Sequence, residues 1–408
     1  MRVVVTTVLE IPDHAMNVNT IEQFVTRATR AFPTQAWNAI ALQEELRAEA
    51  DYQGALKRKG REQVWFWTTA GPVRLQRQRY VHPAEPRSFL LFDRRIGLNT
   101  RAGGSPAVQR CFAELAAMGP SFQKACFQIE RLWGAAPAVT TVWKWTQTVG
   151  RNLRQNAVAL RHRFFRDGEL PGGELPAKPF VAVEADSTFV HAWRQRDKSH
   201  EVYLGVAYDG KTGEKRRRLT GKLAIGSVDG AATFGEDLFV GVQARHNVCD
   251  AQNVLFLSDG AFALEGIRER HFPMAEHQLD RAHLIRKTRD AYGWDLSESA
   301  AKTLKLVLSE KKARLAHHLD TERRRYRHRA AALQDLSNYI LPHWEKLFVA
   351  RRLRRSGVRL PPHVEGSGVI ERNVAVYIGQ RMKHRGMGWT KTGADNILRI
   401  RLDLLQTF

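Results

Sequence analysis

Cysteine is nearly absent: Cys111, Cys126 and Cys249 are the only three in 408 residues. No two of them form a C-x-x-C pair, which excludes a disulfide framework and a thiolate zinc finger, and they read as small buried hydrophobes. No apolar run approaches the roughly 18 residues a membrane-spanning helix needs, and neither end carries a lipidation signal. The opening "MRVVVTTVLEIPDH" meets Glu10 and Asp13 too early to serve as a secretory signal, so a cytosolic protein is expected. Internal repeats and low-complexity tracts are missing as well. Acids are in short supply: 42 Asp plus Glu face 64 Lys plus Arg, a formal net charge of +22. That imbalance says nothing about fold but points to a polyanionic partner, and without a membrane signal the partner expected is nucleic acid.

The chain is long enough for two to three domains on the usual size prior, and 43% apolar residues can fill at least one sizeable core. From Thr20 to Gln53 the periodicity is helical, with a break expected at Pro33. "EQVWFWTTAGPVRLQRQRYVH" then alternates with period two around Ala70-Gly71-Pro72, a hairpin whose second strand turns basic at Arg77 and Arg79. In "SFQKACFQIERLWGAAPAVTTVWKWTQTVGRNLRQ", Ala125, Ile129, Leu132 and Trp133 mark an amphipathic helix ending at Gly134. Thr140 or Thr141 can cap a second helix carrying Val142, Trp145 and Val149. Two short helices so joined make a helix-turn-helix, whose second member would lie in the major groove with Thr140, Thr141, Lys144 and Gln147 exposed. An ordinary helical hairpin of a core fits the same pattern.

The Gly/Pro-rich "DGELPGGELPAKP" is the best domain boundary. Expected divisions are a helical region at 1–60, a hairpin region at 61–100, the helix-turn-helix at 101–166, an α/β core at 178–280 and 361–408, and a basic helical insertion at 281–360. In the core, strand-like runs at Phe180–Ala192, Glu201–Tyr208 and Arg218–Ile225 precede a helix over Phe234–Ala244. The strand in "NVLFLSDGA" and a weaker one near Met274–Leu279 follow. Three hairpin-like strands, a helix and then strands parallel to the first give a mixed sheet flanked by helices. The insertion contains Arg323, Arg324 and Arg325. Its charge runs fit both solvated helix faces and phosphate tracks.

Three acids stand out in so basic a chain. Asp186, in "PFVAVEADSTFVHAW", falls in a strand that reads as buried, where an unpaired carboxylate is costly unless it is at the strand's end, paired, or on a metal. Asp259 projects from the carboxyl end of another buried strand, where α/β sheets bind ligands. Glu371, in "VEGSGVIERNVAVYIGQRM", opens a helix whose face is Ile370, Val374, Tyr377 and Ile378. There the helix dipole should keep it ionised. Glu365, upstream of the Gly-Ser-Gly turn, competes for the same role but sits in an extended, Pro-preceded segment that would fix it poorly. Three carboxylates suit two Mg²⁺ or Mn²⁺ ions for in-line displacement at a phosphodiester. Arg372, Arg381, Lys383 and Lys391 are the cations expected to meet phosphates beside them.

With "VEADSTFV", "SDGA", "HQLDRAHLIRK" and "GSGVIERN...QRMKHRGMGWTKTGADNILRIR" in hand, the chain from about Arg61 onward resembles bacterial insertion-sequence transposases of the ISLre type, distantly similar to mutator-like transposases. The resemblance implies an RNase H-like catalytic core, a DDE triad of Asp186, Asp259 and Glu371 on two Mg²⁺ or Mn²⁺ ions, and strand cleavage followed by strand transfer. It also implies double-stranded DNA partners (the element's terminal inverted repeats and target DNA), a homo-oligomer in the synaptic complex and a nucleoid-associated bacterial protein. Asp280-x-x-His283 stands where mutator-like relatives have Cys-x-x-His, implying a structural or DNA-orienting role. His271, His277, Asp280 and His283 taken together are a less favoured zinc reading. The alternatives are an inactive or domesticated DNA-binding relative and a structure-specific Mg²⁺-dependent nuclease.

Overall fold

The computed structural model describes residues 3–6, 17–172, 176–195, 198–213, 218–361, 364, 368–383 and 386–406. The chain divides into two compact units, Met1–Val149 and Gly150–Phe408.

In the first unit, helix α1 (Val18–Asp51) starts at Asn17, whose side chain accepts from the Thr20 amide. The break expected at Pro33 does not occur, and Pro33 is buried inside a continuous helix. A proline removes one helical hydrogen bond, and side chains further along α1 hold it to a strand edge. Strands β1 (Lys57–Thr68) and β2 (Gly71–Val81) pair antiparallel, with Thr68 opposite Gly71. The turn is therefore Thr69-Ala70, one residue earlier than expected, and Gly71 takes the positive φ (111°) it needs. Asn38 of α1 donates to the Arg74 carbonyl and accepts from the Gln76 amide at 2.7 Å, and Glu45 accepts from the Gln78 amide at 2.7 Å. The helix thereby covers an edge that would otherwise offer unpaired backbone groups. The expected basic strand end is absent: Arg77 is buried against Asp93 and Glu62, and Arg79 also pairs with Glu62.

After β3 (Phe89–Leu90) and α2 (Leu91–Ile96) come α3 (Pro106–Met118), α4 (Phe122–Trp133) and α5 (Val139–Phe165). Ser105 and Ser121 cap α3 and α4, and Gly134 ends α4 in the left-handed conformation. Val108, Phe112, Ile129, Val142 and Trp145 form their shared core. Two corrections apply to the second helix. It has 27 residues rather than being short, and it begins at Val139, so Thr140 and Thr141 lie in its first turn instead of capping it.

The second unit is mixed α/β, a mixed sheet flanked by helices. Its strands are β4 (Val181–His191), β5 (Ser199–Tyr208), β8 (Leu223–Ser227), β9 (Val254–Ser258) and β10 (Glu276–Leu279), while β6 (Gly210–Thr212) and β7 (Arg218–Thr220) form a separate two-stranded ribbon. The order is β10-β9-β4-β5-β8, with β4–β5 and β5–β8 antiparallel and β4–β9 and β9–β10 parallel. The single run expected at Arg218–Ile225 is split at Gly221, whose φ is +62° and where a Cβ would meet the Asp209 carboxylate at 2.8 Å. Helices α6 (Ala231–His246) and α7 (Phe262–His271) bury Phe234, Leu238, Val242, Leu264 and Ile267 with Val181, Val183 and Phe256 of the sheet.

The basic block folds as α8 (Arg281–Tyr292), α9 (Ser297–Leu308), α10 (Lys312–Arg325), α11 (Ala330–Ile340) and α12 (Val349–Arg355) around Leu284, Tyr292, Val307, Leu315 and Leu336. The chain then enters α13 (Val369–Val374), widens into π-helical geometry over Ala375–Lys383, and ends in α14 (Lys391–Gln406). Arg401 of α14 is buried and donates to the carbonyls of Val376 and Tyr377 in the widened segment.

Candidate active site

Strand register brings the acids together. Glu184 of β4 lies opposite Leu257 of β9, so two residues further on Asp186 and Asp259 emerge side by side. Leu279 of β10 lies opposite Ser258, and the Asp280 amide donates to the Ser258 carbonyl, which sets Asp280 beside Asp259. Strands β9 and β10 are thus each followed by an aspartate, beside Asp186 in the middle of β4. Asp280 accepts from the His283 amide at 3.1 Å as the N-cap of α8, and that turn swings the His283 imidazole over the strand ends.

The imidazole is the hub. Its Nδ1 lies 2.8 Å from Asp280 Oδ2 and 3.2 Å from Glu371 Oε1, and its Nε2 is 3.7 Å from Asp186 Oδ2. Asp186, Asp259 and His283 offer ligand atoms within 4.8 Å of one another, as do Asp280, His283 and Glu371. The three acids expected as a triad therefore surround one histidine, Asp186 and Asp259 on one side and Glu371 on the other. Glu365 lies outside the described residues.

Electrostatics follow from this crowding. Burial pushes Asp186 upward, against the pull of His283. Burial and the neighbouring Asp280 raise Glu371 to about 7, contrary to the expectation that the helix dipole would keep it ionised; at this position burial and a like charge outweigh the helix start. Burial opposes the charge on Asp280 too, but hydrogen bonds from His283 and Glu371 prevail and hold it below the usual carboxylate range. His283 is raised because Asp280, Asp186 and Glu371 outweigh its burial. His283 Nε2, on the side facing Asp186, is buried without a hydrogen-bond partner, as are Asp280 Oδ1 and Glu371 Oε2 near the other side of the ring; unpartnered ligand atoms of this kind suit cations.

Two supporting residues escaped the sequence reading. Glu184 is buried on the same strand face as Asp186, accepting from Tyr208 Oη at 2.7 Å and from the Ile370 amide at 3.1 Å. It ties the start of α13, and so Glu371, to the central strand. An acid two residues before Asp186 was the available signal. Arg286, one turn after His283, adds a positive charge that acts on Asp186.

Other expected residues are distributed differently. His271 packs on Phe165 and Phe239, and His277 faces Ser258 and Glu265, so these two do not join His283 in a zinc site. Arg381, expected at a phosphate, is buried, with its guanidinium over the Trp389 ring and a hydrogen bond to Met387 Sδ. Lys383 donates to Thr188 on β4, Arg372 is exposed, and Lys391 lies 3.7 Å from Asp229. Arg323 and Arg324 both pair with Asp320, while Arg325 lies over Tyr326. In the first unit Thr140 and Lys144 are exposed, and Thr141 and Gln147 are half-buried.

A family model matches residues 15–406, nearly the whole chain. The chain belongs to the uncharacterised protein family UPF0236. A UPF0236 relative from Streptococcus gallolyticus, the "UPF0236 protein in vanSb 3'region", is 25% identical over 344 residues, covering 80% of this chain and 69% of the relative. The clustered acids therefore lie in a UPF0236 chain in which no described helix is long and apolar enough to cross a membrane.

Proposed function

We propose that this UPF0236 protein is a DNA transposase of the insertion-sequence type, with an RNase H-like core that cleaves and rejoins phosphodiesters. The observation that carries the reading is the gathering of Asp186, Asp259 and Glu371 around His283 beside the central strand of a mixed sheet, in a chain of net charge +22. The sheet supports it: the first strand is central, joined by antiparallel pairings through β5 to β8 on one side and by parallel pairings through β9 to β10 on the other. Asp186, Asp259 and Glu371 would hold Mg²⁺ or Mn²⁺, which when bound supplies an activated attacking oxygen and stabilises the leaving one. The chain's own part is to hold these carboxylates rigidly: Glu184 tethers the Glu371 helix, and Asp280 orients His283. Arg372, next to Glu371, and Lys383 are exposed and would meet phosphates flanking the scissile bond. Thr140 and Lys144, exposed at the start of α5, would read the element's ends. Bringing two such ends together calls for a homo-oligomer on DNA at the bacterial nucleoid.

The test is one incubation of the purified chain with labelled element ends, with and without Mg²⁺, scored for nicks and for joined products. Both products are expected. Nicks without joining would favour a stand-alone nuclease, and neither product would favour an inactive DNA-binding relative. Asp186→Asn, Asp259→Asn or Glu371→Gln should remove both products while leaving duplex binding unchanged or slightly tighter, and loss of folding instead would make these acids structural.

A further inference from the structure

His283 differs from every other histidine considered above in what its two nitrogens face. The side chain is 1% exposed. Nδ1 is committed to Asp280 Oδ2 at 2.8 Å, with Glu371 Oε1 beyond it at 3.2 Å. Nε2 is buried, has no hydrogen-bond partner, and lies beside the pair of aspartates in the middle of β4 and just after β9. Its 3.7 Å separation from Asp186 Oδ2 is too long for a hydrogen bond. Two ligands held about 2.1 Å from one ion stand roughly 3–4 Å apart, so the spacing suits two ligands of a common cation.

The other half of the imidazole completes the pattern. A metal-bound histidine almost always gives its second N–H to a carboxylate or carbonyl, which fixes the tautomer and the ring's direction. Asp280 does this here, and it is itself fixed as the N-cap of α8. A buried imidazole nitrogen with no partner is expensive to keep, and a ligated cation removes that expense.

We propose that His283 is itself a metal ligand, its Nε2 joining Asp186 and Asp259 in a mixed oxygen–nitrogen site that takes Mn²⁺ in preference to Mg²⁺, with Asp280 as the positioning residue. An all-carboxylate site suits Mg²⁺, whereas imidazole favours softer divalent ions in the order that places Mn²⁺ and the later transition metals above it. The inference rests on the metal-dependent reading of the site but is read out separately from cleavage.

The experiment uses the full chain without DNA and with Mn²⁺ as probe. Electron spin-echo envelope modulation of bound Mn²⁺ should show nitrogen coupling, changing when the protein is labelled with ¹⁵N-histidine. His283→Ala, checked for folding by circular dichroism, should lose that coupling, either with residual Mn²⁺ binding or with none. Asp280→Asn should keep it while weakening Mn²⁺ binding by about 10- to 100-fold. Wild-type Mn²⁺ bound without nitrogen coupling, or coupling that survives in His283→Ala, would overturn the inference and leave a carboxylate metal site standing. If the wild-type chain binds no Mn²⁺, this inference and the metal-dependent reading both fall. Mg²⁺ displacing Mn²⁺ at equal concentration would overturn the stated preference alone.

Discussion

At the scale of single residues, Glu184 shows how a buried acid is made useful. Burial pushes it up to about 7, yet both of its oxygens are engaged, by Tyr208 Oη and by the Ile370 amide. Glu184→Ala strands both donors in the core, at about 1–3 kcal/mol for each group left unsatisfied. Glu184→Gln can still accept from Ile370 while its amide donates to a rotated Tyr208 hydroxyl. Urea denaturation should therefore show a loss of roughly 2–5 kcal/mol for the alanine variant and about 1 kcal/mol or less for glutamine; equal losses would mean the hydrogen bonds are immaterial. Glu371 makes a second prediction through pH. Its folded pKa, about 7, lies above the ordinary 4.5, so the folded chain binds this proton more tightly than the unfolded one. The associated stability is complete below about pH 4.5 and is lost as pH rises through 7. In metal-free protein, the stability advantage of wild type over Glu371→Gln should shrink across that window, as followed by thermal melts. An advantage that grew with pH would reverse the assignment of the proton.

Among the elements, the segment after Glu371 is where sequence pattern and structure part. Ile370, Tyr377 and Ile378 are buried as their spacing suggested, but the helix that carries them widens from Ala375 onward. A stripe of four apolar positions is too short to separate a period of 3.6 from a wider one. The widening leaves the Val376 and Tyr377 carbonyls to be met by Arg401, a buried guanidinium that burial lowers to about 10. Nothing local to 369–383 announces a partner that arrives from α14. The strands were more legible, because the first half of β4 and all of β9 are buried on both faces and read as apolar runs leading into an acid. The central place of His283 was not: Asp280-x-x-His283 looks like any capped helix start until the register of β9 and β10 sets it beside Asp259. Arg401→Met should cost about 2–4 kcal/mol, since two carbonyls lose charged donors, and Arg401→Lys about half of that, because one ammonium can reach one of them. Circular dichroism melts decide it; equal stability for Met and wild type would show that the carbonyls find other donors.

For the whole molecule, the surplus of 22 positive charges is the feature with the longest reach, and the structure shows how much of it is already spoken for. Arg77 and Arg381 are buried, and Arg79 pairs with Glu62. At the end of α10, Arg323 and Arg324 share Asp320, with the Arg324 side chain 79% exposed. An exposed pair of this kind is worth about 0–1 kcal/mol, so a phosphate can replace Asp320 at little expense. Each phosphate contact contributes roughly 0.9 to the slope of log K against log salt on duplex DNA. If the end of α10 lies on DNA, replacing Arg323, Arg324 and Arg325 by Ala should lower that slope by about two to three and weaken element ends and random duplex alike. Asp320→Asn must move the other way, tightening both, because it removes a competitor for the same guanidinium groups. Lys144→Ala, by contrast, should narrow the gap between element ends and random duplex. Measured by fluorescence anisotropy from 50 to 200 mM salt, an unchanged slope in the triple variant together with no tightening in Asp320→Asn would take α10 off the path of the DNA and leave its arginines as a solvated helix face.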